Sequence, residues 1–572
     1  MPNLGKALKY IRDNAESSSE KGTGFESLVK LYFEHDDLQK QYYEKVQTYR
    51  DWASSRKNFD PNDIGIDLVA KIRGKNSFAS IQCKFFRKDL EIKKQQIDSW
   101  ISASSSDEFS ELLLIDTSLE ELGSHAEYTI KNLSKNKRYR RIPANEMDRG
   151  RIDWSNFISE NDISLKKKNE LRPHQTKAIN DIKKGFEKDD RGKMIMACGT
   201  GKTFTALRFA EQTVGQSGMV LYMVPSLALM SQTISEWKSQ SELEIFAYSA
   251  CSDEKVGKNK KKDEDRIILR LSDLAFPATT DSEILSNEIK SAKKDAMKVI
   301  FSTYQSIDVI SKAQKKCGLD RFDLIICDEA HRTTGETLGD EDESNFVKIH
   351  KDENVSGSKR LYMTATPKIY AENLKKKAEK AQIEISSMDD KSKFGETLHH
   401  HSFGQAVENN LLSDYKVVVL AVDEGIVNEN IQSFFKSSDT QLKLDEATKM
   451  IGCYKALGKI GFDDDDKSLI QKTTSLEKNY LPNKTPMKRA LCFTRTIASS
   501  ELFVEQFNEV VREYEMNEKI EDKYKLNLKV SLKHVDGKHN AQQRANRLNW
   551  LEDDIEENSC HILSNAKCLS EG

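Results

Sequence analysis

The stretch Lys193–Thr205, KMIMACGTGKTFT, is an apolar run that breaks into a glycine-containing loop and then enters a helical pattern. Backbone N–H groups freed by the glycines and by the first helical turn can point at phosphate oxygens, and a lysine there supplies a mobile positive charge. A threonine hydroxyl beside that lysine can ligate Mg²⁺. We therefore predict a polyphosphate site made by Gly199, Thr200, Gly201, Lys202 and Thr203.

The helix after this loop is predicted from apolar residues that repeat at helical spacing up to Val214, with Gly215 as its stop. The full P-loop pattern requires a glycine five residues before Gly201, where this chain has Met196. A glycine-rich turn between core elements, without a ligand, is therefore the alternative interpretation of this stretch taken alone.

The composition predicts a globular protein of several domains. With 572 residues, 32% of them charged and 37% hydrophobic, the chain is expected to hold about three to four domains. Its 89 basic and 92 acidic residues give a net charge of -3, so any DNA-facing surface must be local. Nine cysteines without a CxxC spacing, and an N-terminus without the apolar core of a signal peptide, predict a cytoplasmic protein with free thiols.

Residues 1–165 are predicted to form a small α/β domain. A helix is expected over GFESLVKLYFEHD, because its apolar residues repeat at helical spacing and leave Glu26 beside the apolar face. Near the end of the domain, basic residues cluster in KNKRYRRIP, from Lys135 to Pro143. Such a run favours a solvated face or a linker, and DNA contact by its arginines is the alternative. The arginines concerned are Arg138, Arg140 and Arg141.

Two strand-like segments of this domain, IGIDLVAKIR and SFASIQCKFF, are predicted to form a hairpin. If Gly74 and Lys75 make a two-residue turn, Asp67 lies directly opposite Gln82. Side chains alternate between the faces of a strand, so Lys84 shares a face with Gln82. The hairpin would then bring a carboxylate, an amide oxygen and an ammonium group together at one end.

That grouping is what metal-dependent phosphodiester hydrolysis requires. Asp67, the side chain of Gln82 and the main-chain carbonyl of Cys83 can ligate a divalent metal, while Lys84 orients or deprotonates the attacking water. Glu26 could add a further ligand from the neighbouring helix. A surface hairpin with solvated charges is the alternative that the spacing leaves open.

Residues 166–371 alternate short apolar strands with helical patterns, which predicts a doubly wound parallel sheet covered on both faces. The predicted strands are KMIMA, GMVLYMV, EIFAYSA, MKVIFST, FDLIIC and RLYMTAT. Functional residues are expected just past the carboxyl ends of such strands. Asp328 and Glu329 follow FDLIIC directly, so Asp328 is predicted to hold Mg²⁺ and Glu329 to activate the water that attacks a γ-phosphate.

Residues 372–572 are predicted to hold a helix-rich bridge and a second α/β lobe, with YKVVVLAV, RALCFTRT, LKHVDG and CHILSN as strands. Because the sequence stops at Gly572, this second lobe is expected to be incomplete. His399, His400 and His401 are consecutive, and they are interpreted as an exposed or loosely packed segment, with incidental metal capture as the alternative.

The first domain resembles a known nuclease fold. Glu26, Asp67 and the triplet Gln82-Cys83-Lys84 are similar to the PD-(D/E)xK pattern, in the branch related to the Mrr-type restriction endonucleases, where glutamine often replaces the glutamate. The resemblance implies a Mg²⁺-dependent DNA cleavage site in which Asp67, Gln82 and Lys84 are catalytic. The glutamine leaves the metal site one negative charge poorer.

The following region resembles the RecA-like motor lobes of superfamily 2 DEAH-box helicases and translocases. Leu171–Gln175 lies upstream of the phosphate loop, where that family places a glutamine that reads adenine, so the resemblance implies that Gln175 binds ATP. Thr364–Pro367 is similar to the motif that couples hydrolysis to movement between lobes, and Phe493–Thr496 and His534–Gly537 are similar to opening motifs of the second lobe.

The order of nuclease and motor, with several linking phrases, resembles the nuclease and motor part of the single-polypeptide type ISP restriction–modification enzymes. The phrases are RPHQTKAI, MACGTGKT, FSTYQS, CDEAHRTTG, KRLYMTATP, SMDD and LLSDYKV. In that family a coupler, an adenine methyltransferase and a target-recognition domain follow, and they are expected to lie outside this chain.

The leading hypothesis is an ATP-dependent motor on double-stranded DNA, joined to a Mg²⁺-dependent endonuclease and serving restriction of foreign DNA. The first alternative is a truncated remnant or subunit that binds ATP and DNA but hydrolyses ATP poorly, because an arginine finger from the second lobe is expected to be missing. The second alternative is a DNA-repair helicase-nuclease, which the motor motifs do not distinguish from a restriction enzyme.

Overall fold

The computed structural model describes residues 3–62, 65–118, 120–134, 136–157, 162–251, 274–293, 295–338, 345–373, 383–414, 444–458, 485–516, 525–537, 539 and 541–566. These residues form two compact units, one that ends at Asp414 and one that begins at Leu444. Every described helix is too short or too polar to cross a membrane. The strand predicted at YKVVVLAV lies outside the described residues.

The first unit is an α/β structure with two main sheets. Its helices are α1 (Asn3–Asn14), α2 (Ser18–His35), α3 (Gln39–Tyr42), α4 (Tyr49–Ser54), α5 (Asp98–Ala103), α6 (Ser124–Lys131), α7 (Pro173–Phe186), α8 (Lys202–Val214), α9 (Leu227–Gln240), α10 (Ser282–Lys290), α11 (Ile307–Cys317), α12 (Lys391–Phe394) and α13 (Phe403–Glu408). Its strands are β1 (Tyr43–Thr48), β2 (Leu68–Ile72), β3 (Phe78–Lys84), β4 (Phe109–Asp116), β5 (Arg138–Pro143), β6 (Ile152–Asp153), β7 (Ser164–Leu165), β8 (Arg191–Met196), β9 (Met219–Val224), β10 (Ile245–Ala250), β11 (Met297–Thr303), β12 (Phe322–Cys327), β13 (Gly335–Leu338), β14 (Gly357–Thr364), β15 (Ile383–Ser386) and β16 (Glu396–His401).

The N-terminal sheet has the order β1-β2-β3-β4-β5, with an antiparallel hairpin followed by parallel pairs. In the β2–β3 hairpin Leu68 lies opposite Ile81 and Lys71 opposite Phe78, which is the register that a turn at Gly74 predicts. Helix α2 packs on this sheet through the apolar face that helical spacing predicts. Its buried residues are Phe25, Leu28, Val29, Tyr32 and Phe33.

The basic run at β5 is neither a linker nor a solvated face, because two of its arginines are buried in ion pairs. Arg140 Nη2 lies 3.2 Å from a carboxylate oxygen of Glu111, and Arg141 makes two hydrogen bonds, of 2.7 and 2.9 Å, to Asp116. Unpaired charges cannot be buried at low cost, and the acidic partners on the neighbouring strand β4 allow this burial. These two arginines are therefore structural, and Lys135 lies outside the described residues.

The second sheet is fully parallel, with the order β10-β11-β9-β12-β14-β8-β16. All six strands predicted for residues 166–371 are present. Strand β16 also joins this sheet through β8, although it lies beyond residue 371. We propose that the first motor lobe continues through β16.

Strand β16 contains the three consecutive histidines, and their interpretation as an exposed or loosely packed segment is wrong. His399 and His401 are 4% and 8% exposed on one face of the strand, while His400 points to solvent. His399 Nδ1 lies 2.8 Å from Asp181 of α7. Burial, together with the neighbouring His174, lowers the pKa of His401.

The nuclease-like part and the motor lobe are in direct contact within this unit. The side chain of Gln41 donates to the carbonyl oxygen of Ala247 at 2.7 Å and accepts from the same residue's N–H at 2.9 Å. Tyr42 donates to that carbonyl at 3.1 Å, and Gln39 donates to Ala275 at 2.9 Å. Because Ala247 lies on the edge strand β10, Gln41 takes the place of a neighbouring strand.

The second unit is a smaller α/β structure. Its helices are α14 (Leu444–Leu457), α15 (Ile497–Met516) and α16 (Ala541–Glu552), and its strands are β17 (Arg489–Phe493), β18 (Lys529–Val535) and β19 (Ser559–Asn565). The three strands form a parallel sheet with the order β17-β19-β18, which agrees with the strands predicted for this region. Helices α14 and α15 pack together against it around Tyr454 and Phe507.

Candidate active sites

The phosphate loop connects β8 to α8, and two glycines with positive φ give it its shape. Gly199 has φ of 78° and Gly201 has φ of 84°, a region that disfavours side chains. A Cβ atom on Gly201 would also lie 2.4 Å from Gln175 Nε2. Gly201 is the residue that precedes the first turn of α8, so the N–H groups of that turn are placed to receive an anion.

Gln175 and His174, at the start of α7, hold the backbone of this loop. Gln175 Nε2 donates to the carbonyl oxygen of Thr200 at 3.3 Å, and its Oε1 accepts from the N–H of Arg172 at 2.9 Å. A ring nitrogen of His174 lies 2.9 Å from the same carbonyl oxygen of Thr200. The structure thus brings Gln175 to the loop, while its contact with adenine remains a prediction.

The acidic pair after β12 lies beside the loop. Asp328 is only 3% exposed; its Oδ2 accepts from the phenol of Tyr222 at 2.9 Å and its Oδ1 from the N–H of Glu329, also at 2.9 Å. Burial, reinforced by the charge of Glu329, raises the pKa of Asp328 to about 6, and Lys202 opposes that shift. A divalent cation would stabilise this buried carboxylate, so the residues present fit a magnesium site.

Glu329 adopts the left-handed conformation, with φ of 46°, which is uncommon for a glutamate. His331 Nδ1 lies 3.2 Å from its carboxylate and 3.0 Å from the hydroxyl of Thr364. Burial acts to raise the pKa of Glu329, but its hydrogen bond with His331 and the charge of Lys202 outweigh burial and lower it. The surroundings of Glu329 thus favour its charged form, and His331 connects it to the motif at Thr364.

The second candidate site lies at the end of the β2–β3 hairpin, where the predicted register brings its residues together. Asp67 Oδ2 accepts hydrogen bonds from the side-chain amide of Gln82 and, at 2.5 Å, from the N–H of Cys83. Gln82 is 3% exposed, and its Oε1 is buried without a hydrogen-bond partner among the described residues. A buried amide oxygen beside a carboxylate suits an oxygen-binding divalent cation, so these residues also fit a metal site.

Glu26 and Lys84 border the same site. Burial raises the pKa of the Cys83 thiol, and the negative charges of Asp67 and Glu26 raise it further. The positive charge of Lys84 opposes them, so all three charged side chains lie near enough to Cys83 to influence its thiol. Phe25, the residue before Glu26 on α2, stacks on Phe85 just past the end of β3, with ring centroids 5.1 Å apart, which keeps this part of α2 beside the hairpin. The structure therefore brings together every residue predicted for this site.

In the second unit the motif residues gather around Asp536, which is 3% exposed. Its Oδ1 lies 2.6 Å from His539 Nδ1, and its Oδ2 lies 3.5 Å from His534 Nε2. Burial acts to raise the pKa of Asp536, and the two histidines outweigh that effect and lower it. The arrangement is a hydrogen-bonded cluster at the carboxyl end of β18.

Sequence reasoning missed the residues that hold the acidic pair in place. They are Tyr222, His331 and Tyr304, whose hydroxyl donates to the carbonyl oxygen of Asp328 at 2.7 Å. A signal was present, because a buried phenol in an apolar parallel strand requires a hydrogen-bond partner. The partner of such a phenol depends on which strands lie beside it in the sheet. The sequence of one strand does not indicate that β9 lies between β11 and β12.

Two families match this chain. Residues 34–164 match a family described as "Restriction endonuclease" (Mrr_cat_2), and residues 168–369 match "Type III restriction enzyme, res subunit" (ResIII). The first match covers every strand of the N-terminal sheet, and the second covers six of the seven strands of the parallel sheet, with β16 beyond its end. The loop with its acidic pair lies inside the second match, and Asp67, Gln82, Cys83 and Lys84 lie inside the first, which Glu26 precedes.

Known proteins agree with these matches. The chain is 32% identical to the structure titled "ATP-dependent Type ISP restriction-modification enzyme LlaBIII bound to DNA", with a TM-score of 0.79 over 100% of this chain and 34% of that one. It is 24% identical over 335 residues to the EcoAI endonuclease subunit of a type I restriction enzyme from Escherichia coli, covering 58% of this chain and 33% of that protein. A probable helicase of African swine fever virus is 28% identical over 252 residues, 44% of this chain and 24% of its own. The chain thus spans about a third or less of the length of these relatives.

Proposed function

We propose that this chain is the nuclease and motor portion of a type ISP restriction–modification enzyme, and that it cleaves DNA and moves along it with ATP. The matches to a restriction endonuclease family and to a ResIII family, in the same order along the chain, support the proposal. The activity is an ATP-dependent translocase on double-stranded DNA coupled to a Mg²⁺-dependent endonuclease, in restriction of foreign DNA. The observation that carries the proposal is the presence of two acidic, cation-suited sites in one compact unit, one in each matched domain.

In the motor, the loop Gly199–Thr203 and the acidic pair supply the groups that ATP hydrolysis needs. The backbone of the loop and Lys202 hold the phosphates, and Thr203 and Asp328 are the residues that would hold Mg²⁺. Magnesium, when bound, would supply positive charge that offsets the charge of the phosphate oxygens. Glu329, kept ionised by His331, accepts a proton from the attacking water.

In the nuclease, Asp67, the side chain of Gln82 and the carbonyl of Cys83 would hold Mg²⁺, with Glu26 as a further acidic group. The metal would activate water and stabilise the charge that develops on the scissile phosphate. Lys84 orients that water or removes its proton. The glutamine contributes an oxygen without a charge, so metal affinity is expected to be lower than with two carboxylates.

The contact between the two domains supports coupling of the two activities. Gln41 satisfies both backbone groups of Ala247 on strand β10, which is the edge of the motor sheet. The nuclease is therefore carried by the first motor lobe. We propose that it is delivered along the DNA as the motor moves, and that the protein acts in the cytoplasm, where incoming foreign DNA is met.

The experiment compares two lysine variants in plasmid cleavage and in DNA-stimulated ATP hydrolysis. Lys84→Ala is expected to lower the rate of DNA cleavage by roughly a hundredfold or more, which is the usual loss when a general base is removed. ATP binding and hydrolysis should persist in this variant. Lys202→Ala is expected to abolish ATP binding and hydrolysis. Lys75→Ala, in the exposed turn of the same hairpin as Lys84, is the matched control and should retain both activities.

Retention of both activities by either Lys84→Ala or Lys202→Ala would refute the assignment. Loss of ATP hydrolysis in Lys84→Ala would contradict the assignment of cleavage to the hairpin site and of ATP hydrolysis to the loop. Melting curves of the variants separate these outcomes from simple misfolding.

A further inference from the structure

A tyrosine lies behind the nucleotide loop, where an apolar residue would suffice for packing. Tyr222 is fully buried in β9, and all six residues of that strand are buried. Its phenol donates to Asp328 Oδ2 at 2.9 Å, and the hydroxyl of Thr203 is in hydrogen-bonding reach of the same phenol. One oxygen atom of Tyr222 thus faces both residues that would hold the nucleotide's metal.

The ring that carries this oxygen is fixed from two sides. Trp237 of α9 meets it edge-on, with centroids 5.1 Å apart and an angle of 79°, and Phe301 of β11 packs at 5.7 Å. Aromatic contacts of this kind leave a buried side chain a single rotamer. The position of the phenol is therefore set by the sheet and by α9, independently of any nucleotide.

The partners of the phenol are restrained as well. The other oxygen of Asp328 accepts from the N–H of Glu329 at 2.9 Å, so the carboxylate is held at both ends. The indole N–H of Trp237 donates to the carbonyl oxygen of Thr203 at 3.2 Å, which restrains the first turn of α8. Tyr222 and Trp237 together connect the loop, the acidic pair and α9.

We propose that Tyr222 is a positioning residue that sets the spacing between the Thr203 hydroxyl and the Asp328 carboxylate for a divalent cation carried by the nucleotide. The inference rests on the proposed function. A hydrogen bond from a neutral phenol leaves the charge of Asp328 in place while fixing its direction. A loosened carboxylate would still be present but misaligned, which weakens binding of the metal–nucleotide complex more than binding of the nucleotide alone.

The substitution Tyr222→Phe removes only the oxygen atom and keeps the packed ring. Binding of a fluorescent N-methylanthraniloyl-ADP is measured with excess EDTA and with MgCl₂. The gain in affinity that MgCl₂ gives the unchanged protein is expected to fall about tenfold in Tyr222→Phe, as for a lost hydrogen bond to a charged group. Affinity in EDTA is expected to stay unchanged.

The matched control is Tyr362→Phe. Tyr362 is also a fully buried tyrosine of the same sheet, but its hydroxyl pairs with His350 at 3.0 Å and its ring lies in the core on the opposite face. This variant is expected to keep the full magnesium-dependent gain. If Tyr222→Phe does not fold, Trp237→Phe removes the indole donor to Thr203 and should reduce the same gain, by about threefold.

The outcomes distinguish the inference from the function on which it rests. An unchanged magnesium-dependent gain in Tyr222→Phe, or an equal loss of affinity with and without magnesium, would overturn the positioning role. Absence of any magnesium-dependent nucleotide binding by the unchanged protein would instead overturn the proposed motor function.

Discussion

Replacing Gln82 by glutamate tests the proposed metal site of the nuclease through a change of charge at nearly constant size. The amide of Gln82 now donates to Asp67 Oδ2, and its own oxygen is buried without a partner. Gln82→Glu exchanges that donor for an oxygen and places two carboxylates side by side. Without a metal ion the pair is repulsive, whereas with one both groups become ligands.

The magnitude follows from the two contacts that change. Loss of a hydrogen bond to a charged acceptor costs about 1.5–3 kcal/mol. Two like charges about 4 Å apart repel by about 4 kcal/mol at an effective dielectric constant near 20, and proton uptake by one carboxylate limits that cost. We therefore expect the free energy of unfolding of the nuclease domain in EDTA to fall by roughly 3 kcal/mol at neutral pH.

The pH dependence of this loss has a definite sign. One carboxylate of the pair has a pKa raised in the folded state, so the folded state binds more protons than the unfolded state between the two pKa values. The destabilisation therefore shrinks as the pH falls through the raised pKa. The full destabilisation is present only at pH values above the raised pKa.

The assay is thermal unfolding in EDTA and in saturating MgCl₂, together with calorimetric titration of the metal. Magnesium should restore most of the lost stability of Gln82→Glu and bind at least about tenfold more tightly than to the unchanged protein. Gln95→Glu adds the same charge at an exposed position of the same domain and should change neither quantity. Equal metal-free stability and equal magnesium affinity in Gln82→Glu and the unchanged protein would refute the placement of Gln82 in a metal site.

Two further predictions concern stability and domain contact. Burial lowers the pKa of His350 to about 4 from its ordinary value of 6.5. As the pH drops from 6.5 to 4, this histidine takes up a proton in the unfolded state but not in the folded state, so the free energy of unfolding falls by about 3 kcal/mol. His350→Gln should flatten that part of the pH–stability curve measured by denaturant unfolding, and an unchanged slope would contradict the buried neutral imidazole. Gln41→Ala leaves the N–H of Ala247 without its partner and should weaken the domain contact by about 1–3 kcal/mol. Limited proteolysis should then release the nuclease sooner, and unchanged digestion would contradict a role for this contact.

The nuclease hairpin was predictable because its register depends on local features. A turn at Gly74 and the period of two along each strand suffice to bring Asp67 opposite Gln82, and the observed pairing of Leu68 with Ile81 agrees. The six motor strands were predictable for a similar reason, since buried parallel strands are continuous apolar runs. Both predictions rest on patterns shorter than ten residues or so.

The failures involve partners that are distant in sequence. His399 and His401 are buried because β16 pairs with β8 and packs on α7, and nothing within the histidine run indicates either neighbour. Arg140 is buried because Glu111, diagonally placed on the neighbouring strand β4, forms an ion pair with it. In each case a polar segment that looks solvated is buried by long-range ion pairs or hydrogen bonds, which propensity and periodicity do not reveal.

The order of strands in the motor sheet separates the nuclease from the nucleotide loop. The nuclease contacts the edge strand β10, whereas the loop follows β8, which is five strand positions away in the order β10-β11-β9-β12-β14-β8-β16. At about 4.8 Å per strand the two lie roughly 24 Å apart across a close-packed sheet. A sheet of this kind moves as one body, so nucleotide binding can reposition the nuclease. The nuclease also meets the motor at α9, where Arg149 donates to Ser231 at 3.0 Å, but neither this contact nor the one at Ala247 includes a residue of the site at Asp67. Control of cleavage should therefore act on where the nuclease meets DNA, and the geometry of its proposed metal ligands should be the same in every nucleotide state.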